Sequence, residues 1–136
     1  EGMKKDALNA VEKEWSLLAT LDHPNILKCY EAIHAPGALY LVLEYAESGS
    51  LQQLLKRFGH LEEPLIARYL RSTLLALDYL HSNNVIHRDI KAANILMTKT
   101  GDVKVADFGI ATTLSEAASS TTPGSPYWLA PEVIEM

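Results

Sequence analysis

His87-Arg88-Asp89-Ile90-Lys91-Ala92-Ala93-Asn94 is the stretch that decides how this chain is read. It sets a carboxylate, a cation and a carboxamide in one short loop between the apolar runs Val85-Ile86 and Ile95-Leu96-Met97. Downstream stand Asp107-Phe108-Gly109 and then Ala130-Pro131-Glu132. Any one of these segments alone is a weak signal, because short triplets recur by chance. Their order and separation carry the weight.

The three segments together resemble the catalytic half of a eukaryotic protein kinase domain. The first matches H-R-D-L-x-x-x-N with Ile90 for Leu, and the others match that family's magnesium-binding and activation-segment markers. The resemblance implies transfer of the γ-phosphate of ATP to a protein Ser/Thr hydroxyl, a reaction that asks for positioning and charge neutralisation more than covalent chemistry. It makes Asp89 the acceptor of the substrate proton and Lys91 a cation on the γ-phosphate. Asn94 and Asp107, hard oxygen donors of the kind Mg²⁺ prefers, would hold that ion against the ATP phosphates. Taken singly, Asn94 reads equally as a turn residue and Asp107 as a cap; with Gly109 behind it, Asp107 reads as a ligand on a hinge.

Lys91 also separates subclasses, since serine/threonine kinases typically carry Lys there, and the whole string looks most like the Ste group that acts upstream of MAP kinases. Ser125, in Gly124-Ser125-Pro126-Tyr127-Trp128, stands where that family's hydroxyl bonds the catalytic Asp and Lys. Arg88 stands where the family commonly receives an activation-loop phosphate, which adds roughly −1.5 to −2 charge and can order a loop. Residues Thr112 to Thr122 are rich in hydroxyls and small side chains, which suits a phosphorylatable loop and equally an ordinary linker. Thr121 and Thr122 lie nearest the Gly124-Ser125 anchor.

Outward from the loop, apolar residues recur at helical spacing. Ala7, Val11, Trp15, Leu18 and Leu21 mark one buried face. Counted back from Leu21-Asp22-His23-Pro24-Asn25-Ile26, which resembles the family's HPNI turn, Glu14 falls at the glutamate that pairs with an ATP-contacting lysine. Glu12 and Glu14 as solvated helix charges is the competing reading. Ile26 to Ile33 and Ala38 to Tyr45, separated by Pro36-Gly37, predict a β-hairpin. Its second strand resembles the one leading into the kinase hinge, with Leu43 as gatekeeper and the backbone of Glu44 and Ala46 on the adenine edge. Ser50 is a candidate N-cap for a helix over Leu51 to Arg57, and a longer helix runs from about Glu62 to Ser82 with Pro64 tolerated in its first turn. Leu65, Tyr69, Thr73, Ala76, Leu77 and Leu80 share its inner side. Asn94 to Met97 and Val103 to Ala106 predict a second hairpin around Lys99-Thr100-Gly101-Asp102. The fold class expected is α+β and two-lobed, with 1–45 in the small lobe and 46–136 forming the hinge and part of the large lobe.

Composition excludes little but agrees with this. The 136 residues are 48% hydrophobic and 21% charged, ordinary for a globular chain. A formal charge of −5 argues against a nucleic-acid surface, and no apolar run spans a bilayer. The expectation is a cytoplasmic protein with a protein substrate and an upstream activating kinase or autophosphorylation. Cys29, the one cysteine, sits among apolar neighbours and reads as a buried structural thiol. The five histidines show no paired ligand spacing, and His87 reads as a core residue of the loop.

No G-x-G-x-x-G loop and no V-A-I-K strand precede Glu14, and Lys4, Lys5 and Lys13 lie too near it to be the strand lysine. The chain ends as a helix after Pro131 should begin. The expectation is therefore the middle of a longer kinase chain, poorly stable and inactive in isolation. The alternative is a pseudokinase or scaffold that binds nucleotide or a partner without phosphotransfer.

Overall fold

The computed structural model describes residues 19–35, 38–108, 111–113 and 125–135. Glu14 and the helix expected around it, Pro36-Gly37, Gly109, residues 114–122 and Gly124 lie outside these. The architecture is α+β. Strands β1 (Cys29–Ala35) and β2 (Ala38–Leu43) pair antiparallel, from Ala35 opposite Ala38 to Glu31 opposite Val42. A register shift follows, with Cys29 opposite Leu43 and Tyr30 as the extra residue. The hairpin starts later than periodicity predicts because Ile26 and Leu27 are taken elsewhere. Ile26 bridges Val105 in parallel, and the Leu27 N–H donates to the Val105 carbonyl at 2.9 Å.

Helix α1 (Leu51–Phe58) starts at Ser50 through a reciprocal cap. Ser50 Oγ accepts from the Gln53 N–H at 3.3 Å, and Gln53 Oε1 accepts from the Ser50 N–H at 2.9 Å. Lys56 and Arg57 occupy its last turn, where cations suit the carbonyl end. Helix α2 (Glu63–Ser82) begins one residue after the expected start, with Pro64 in the first turn, where its missing N–H costs nothing. Tyr69, Thr73, Ala76 and Leu80 are buried along its inner face, and the Thr73 hydroxyl donates to the Tyr69 carbonyl at 2.9 Å. Ile66, Leu70, Leu74 and Leu75 are exposed.

After the helix, β3 (Val85–Ile86) pairs antiparallel with β6 (Thr112–Thr113). A 3₁₀ turn at Ala92–Asn94 leads into β4 (Ile95–Met97), which pairs antiparallel with β5 (Val103–Val105). Asn94 thus precedes the strand rather than starting it, although its carbonyl still accepts from the Ala106 N–H at 2.9 Å. A second 3₁₀ turn, Pro126–Trp128, and a short helix α3 (Pro131–Ile134) close the described chain.

The main core joins Leu21 and Ile26 to Ala76 and Leu80 of α2, Val85, Val105 and Phe108. A second cluster, Tyr69 with Ile95, Met97 and Val103, glues α2 to the β4–β5 hairpin. Burying these faces is what holds the loop between β3 and β4 against the helix. Cys29 is half-buried against the main core rather than sealed inside it, because it lies at the irregular end of β1. No helix among the described residues is long and apolar enough to cross a membrane.

Candidate active site

The loop from Ile86 to Asn94 hangs between two strands that are themselves pinned to α2, so its side chains have little freedom. His87 anchors it. The ring is 1% exposed and lies 4.8 Å from the Phe108 ring. Its Nδ1 accepts from the Asp89 N–H at 3.2 Å while Nε2 lies 3.1 Å from the Ala106 carbonyl, an arrangement that only the neutral Nε2–H tautomer satisfies. Burial lowers its pKa, against the pull of the Ala106 carbonyl and the Asp107 and Asp89 charges, and so favours that neutral form. His87 is a core residue, as its sequence setting implies.

Asp89 then meets Lys91, Asn94 and Ser125. Lys91 Nζ donates to Asp89 Oδ2 at 2.7 Å and to Ser125 Oγ at 2.6 Å; the Ser125 hydroxyl donates to Asp89 Oδ1 at 2.7 Å. The Ser125 N–H adds a contact to Oδ1 at 3.3 Å. Asn94 Nδ2 donates to both the Asp89 carbonyl and Oδ2, each at 2.9 Å. Both amide hydrogens of this buried Asn94 are thereby used, and its Oδ1 is left as a hard acceptor. Burial works to raise the Asp89 carboxyl, but the bonds from Lys91, Ser125 and Asn94 outweigh it and hold the group at about 2. The Asp89 and Lys91 side chains are 11% and 20% exposed, so their 2.7 Å ion pair is largely shielded from solvent.

Asp107 follows the buried Ala106 with φ at +63°, and Arg88 takes φ +67°. A non-glycine residue rarely adopts such angles, and they occur mostly where surrounding structure over-determines a functional position. A cavity of about 370 Å³ brings Asn94 and Asp107 together with Leu27, Leu41, Leu43, Ala93, Leu96 and Ala106. Its lining is apolar apart from Asn94 and Asp107, a combination that suits a flat ring together with a magnesium-bound phosphate chain.

Glu44 leaves β2 just beyond this cavity, its N–H donating to the Lys28 carbonyl at 2.8 Å, and Ala46 accepts from the Gly49 N–H at 3.4 Å. Of the sequence candidates, Asp89, Lys91 and Asn94 are in contact, Leu43 and Asp107 share the cavity with Asn94, and Glu14 lies outside the described residues. Lys104 was not singled out from sequence, yet its Nζ lies 2.7 Å from Glu44 Oε1. Its one signal is a charged residue between two valines in Val103-Lys104-Val105.

The protein kinase domain family matches residues 1–136. The chain belongs to that family. Cell division control protein 7 of Schizosaccharomyces pombe is 48% identical over 134 residues, which covers 98% of this chain and 13% of that protein. Cytokinesis protein sepH of Emericella nidulans is 47% identical over 98% of this chain and 10% of its own length. MAP3K epsilon protein kinase 1 of Arabidopsis thaliana is 49% identical over all of this chain and again 10% of its own length. This kinase-domain chain thus spans about a tenth of the length of the curated relatives it matches.

Proposed function

We propose that the chain is the catalytic segment of a serine/threonine protein kinase that passes the γ-phosphate of ATP to a protein hydroxyl within a cytoplasmic signalling cascade. The observation that supports this best is the closed ring of Asp89, Lys91 and Ser125, with Asn94 completing it. Asp89 orients the incoming hydroxyl and takes its proton. A carboxylate held at about 2 is a weak base, so its chief work is alignment, with the proton moving late in a loose transition state.

Lys91, held between Asp89 and Ser125, would bring its charge to the transferred phosphate and offset that of the equatorial oxygens. Asn94 and Asp107 would hold Mg²⁺, which when bound neutralises phosphate charge. The adenine would lie against Leu27, Leu43 and Leu96, with the main chain of Glu44 and Ala46 meeting its polar edge. Arg88 would receive a phosphate placed on the hydroxyl-rich segment by an upstream kinase or by the protein itself. The names of the cytokinesis and MAP3K relatives support a place in a cascade.

The test is the full-length protein carrying Asp89→Asn. Phosphate transfer to a generic basic protein should fall by about 10²-fold or more while ATP binding persists, because the substitution keeps shape but removes the acceptor. An Asn variant as active as the wild type would overturn the assignment.

A further inference from the structure

The edge of β5 that faces away from β4 is held by the turn before β1. Val105 meets Ile26 in parallel: its N–H donates to the Asn25 carbonyl at 2.8 Å, and its carbonyl accepts from the Leu27 N–H at 2.9 Å. Parallel ladders space such bonds evenly, so the next would run from the Asn25 N–H to the Val103 carbonyl. That N–H is instead taken by His23 Nδ1 at 3.1 Å. The Asn25 carboxamide stands in for it, with Nδ2 donating to the Val103 carbonyl at 3.0 Å.

Both sides of this substitution are fixed. The His23 ring stacks on Tyr79 of α2 with 5.0 Å between centroids, and the Tyr79 hydroxyl accepts from the Asp22 N–H at 3.0 Å. Val103 and Val105 are 1% and 0% exposed and belong to the two core clusters. The strand then delivers Ala106, whose N–H donates to the Asn94 carbonyl at 2.9 Å and whose carbonyl lies 3.1 Å from His87 Nε2. Asp107 is the next residue, at φ +63°. The places of both magnesium candidates therefore follow from where β5 ends.

We propose that Asn25 is a positioning residue for the magnesium ligands: its carboxamide completes the outer edge of β5 and so fixes the separation of Asn94 and Asp107. The inference rests on the kinase reading above and deepens it. A strand held at Val105 but loose at Val103 can twist about that point, which moves Ala106 and the residue after it. Mg²⁺ demands near-ideal octahedral geometry, so a small displacement of one ligand weakens its hold on the ion. Side chains one step removed from a metal commonly change its affinity by about 10–100-fold when they are lost. Neither Asn25 nor His23 lines the cavity that holds Asn94 and Asp107, so the effect of Asn25 reaches the ion through β5. A bond that served stability alone would lower the melting temperature when broken and leave the magnesium requirement untouched.

The experiment compares the full-length wild type with Asn25→Asp, which keeps the shape but turns an acceptor towards the Val103 carbonyl, and with Gly59→Ala, whose strain lies past the far end of α1. Mn²⁺ serves as the spin probe in place of Mg²⁺, and its Kd is measured by electron paramagnetic resonance with a non-hydrolysable ATP analogue present. Asn25→Asp should weaken Mn²⁺ binding about tenfold and raise by about the same factor the free Mg²⁺ at which phosphate transfer is half-maximal. At saturating Mg²⁺ its kcat should stay within about twofold of the wild type. Gly59→Ala should lower the melting temperature and leave both metal values unchanged.

Should Asn25→Asp fail to fold, Asn25→Ala, which removes the donor and adds no charge, is expected to move the same two values in the same direction. A folded Asn25 variant with the wild-type Mn²⁺ affinity and Mg²⁺ requirement overturns the positioning role, whatever its melting temperature. Failure of both variants to fold overturns it too, since Asn25 would then serve the fold and not the site. If the wild type transfers phosphate, only that role is lost; if the wild type binds neither Mn²⁺ nor the nucleotide analogue, the kinase reading falls and the proposal with it.

Discussion

Asp89 accepts from Lys91, Asn94, the Ser125 hydroxyl and the Ser125 N–H, which fills the four acceptor directions of a carboxylate. A substrate hydroxyl therefore reaches it only by displacing one donor, and Ser125 is the one drawn from a distant segment of the chain. The same donors depress the carboxyl from 3.8 to about 2 despite its burial. That stabilisation is complete above the unfolded value near 3.8 and is lost as pH falls through about 2. Ser125→Ala removes one donor to Asp89 and the acceptor of Lys91. It should move acid unfolding to higher pH, followed by circular dichroism, and lower kcat of the full-length protein about tenfold, the worth of one hydrogen bond to a charged group. Ser125→Thr keeps the hydroxyl and should retain most activity. Wild-type kcat in the Ala variant would show that the ring has no part in transfer.

Among the elements, α1 is held by local chemistry. It packs against the Ala92–Asn94 turn, so its start bears on where Asn94 sits. Gly49, just before the cap, has φ +72°, and a Cβ there would collide with Gln53 Oε1, the atom that closes the reciprocal cap. Gly59, past the far end, has φ +80° with open space around it. Ser50→Ala should cost about 1 kcal/mol, the usual loss for a capping side chain. Gly59→Ala should cost about 1–2 kcal/mol from backbone strain alone, and Gly49→Ala more, since strain and collision add. Urea denaturation of the three variants checks the order; a Gly49→Ala protein as stable as Gly59→Ala would mean that the Gln53 side chain moves aside freely.

At the scale of the whole molecule, one core serves fold and site together. Leu80, fully buried, touches the cluster that contains Leu21, Ile26, Val85, Val105 and Phe108. Phe108 packs on His87, and His87 holds the Asp89 N–H. Leu80→Ala should cost about 2–5 kcal/mol, the range for a buried leucine cut back to alanine. Because the cavity left adjoins the support of the catalytic loop, transfer should fall together with thermal stability. A Leu80→Ala protein with an unchanged melting temperature would place this helix outside the cooperative core. Lys28–Asp22 and Arg68–Asp102, both well exposed, contribute little by comparison.

By itself the sequence determined the family, the α+β class, the extent of α1 and α2 to within a residue, the cap at Ser50, the first-turn place of Pro64, and the candidate set Asp89, Lys91, Asn94 and Asp107. These rest on local chemistry, such as motif order, helical spacing and capping residues, which acts over a few neighbours along the chain. The tertiary structure decided what contact across the chain controls. It took Ile26 and Leu27 from the first hairpin and gave them to Val105, because a buried apolar pair with unmet backbone groups joins the nearest strand rather than the next in sequence. It joined Ser125 to Asp89 across 36 residues, as the family resemblance implied, and set Lys104 on Glu44, a pairing that no motif or periodicity announced because it exists only once the strands are packed.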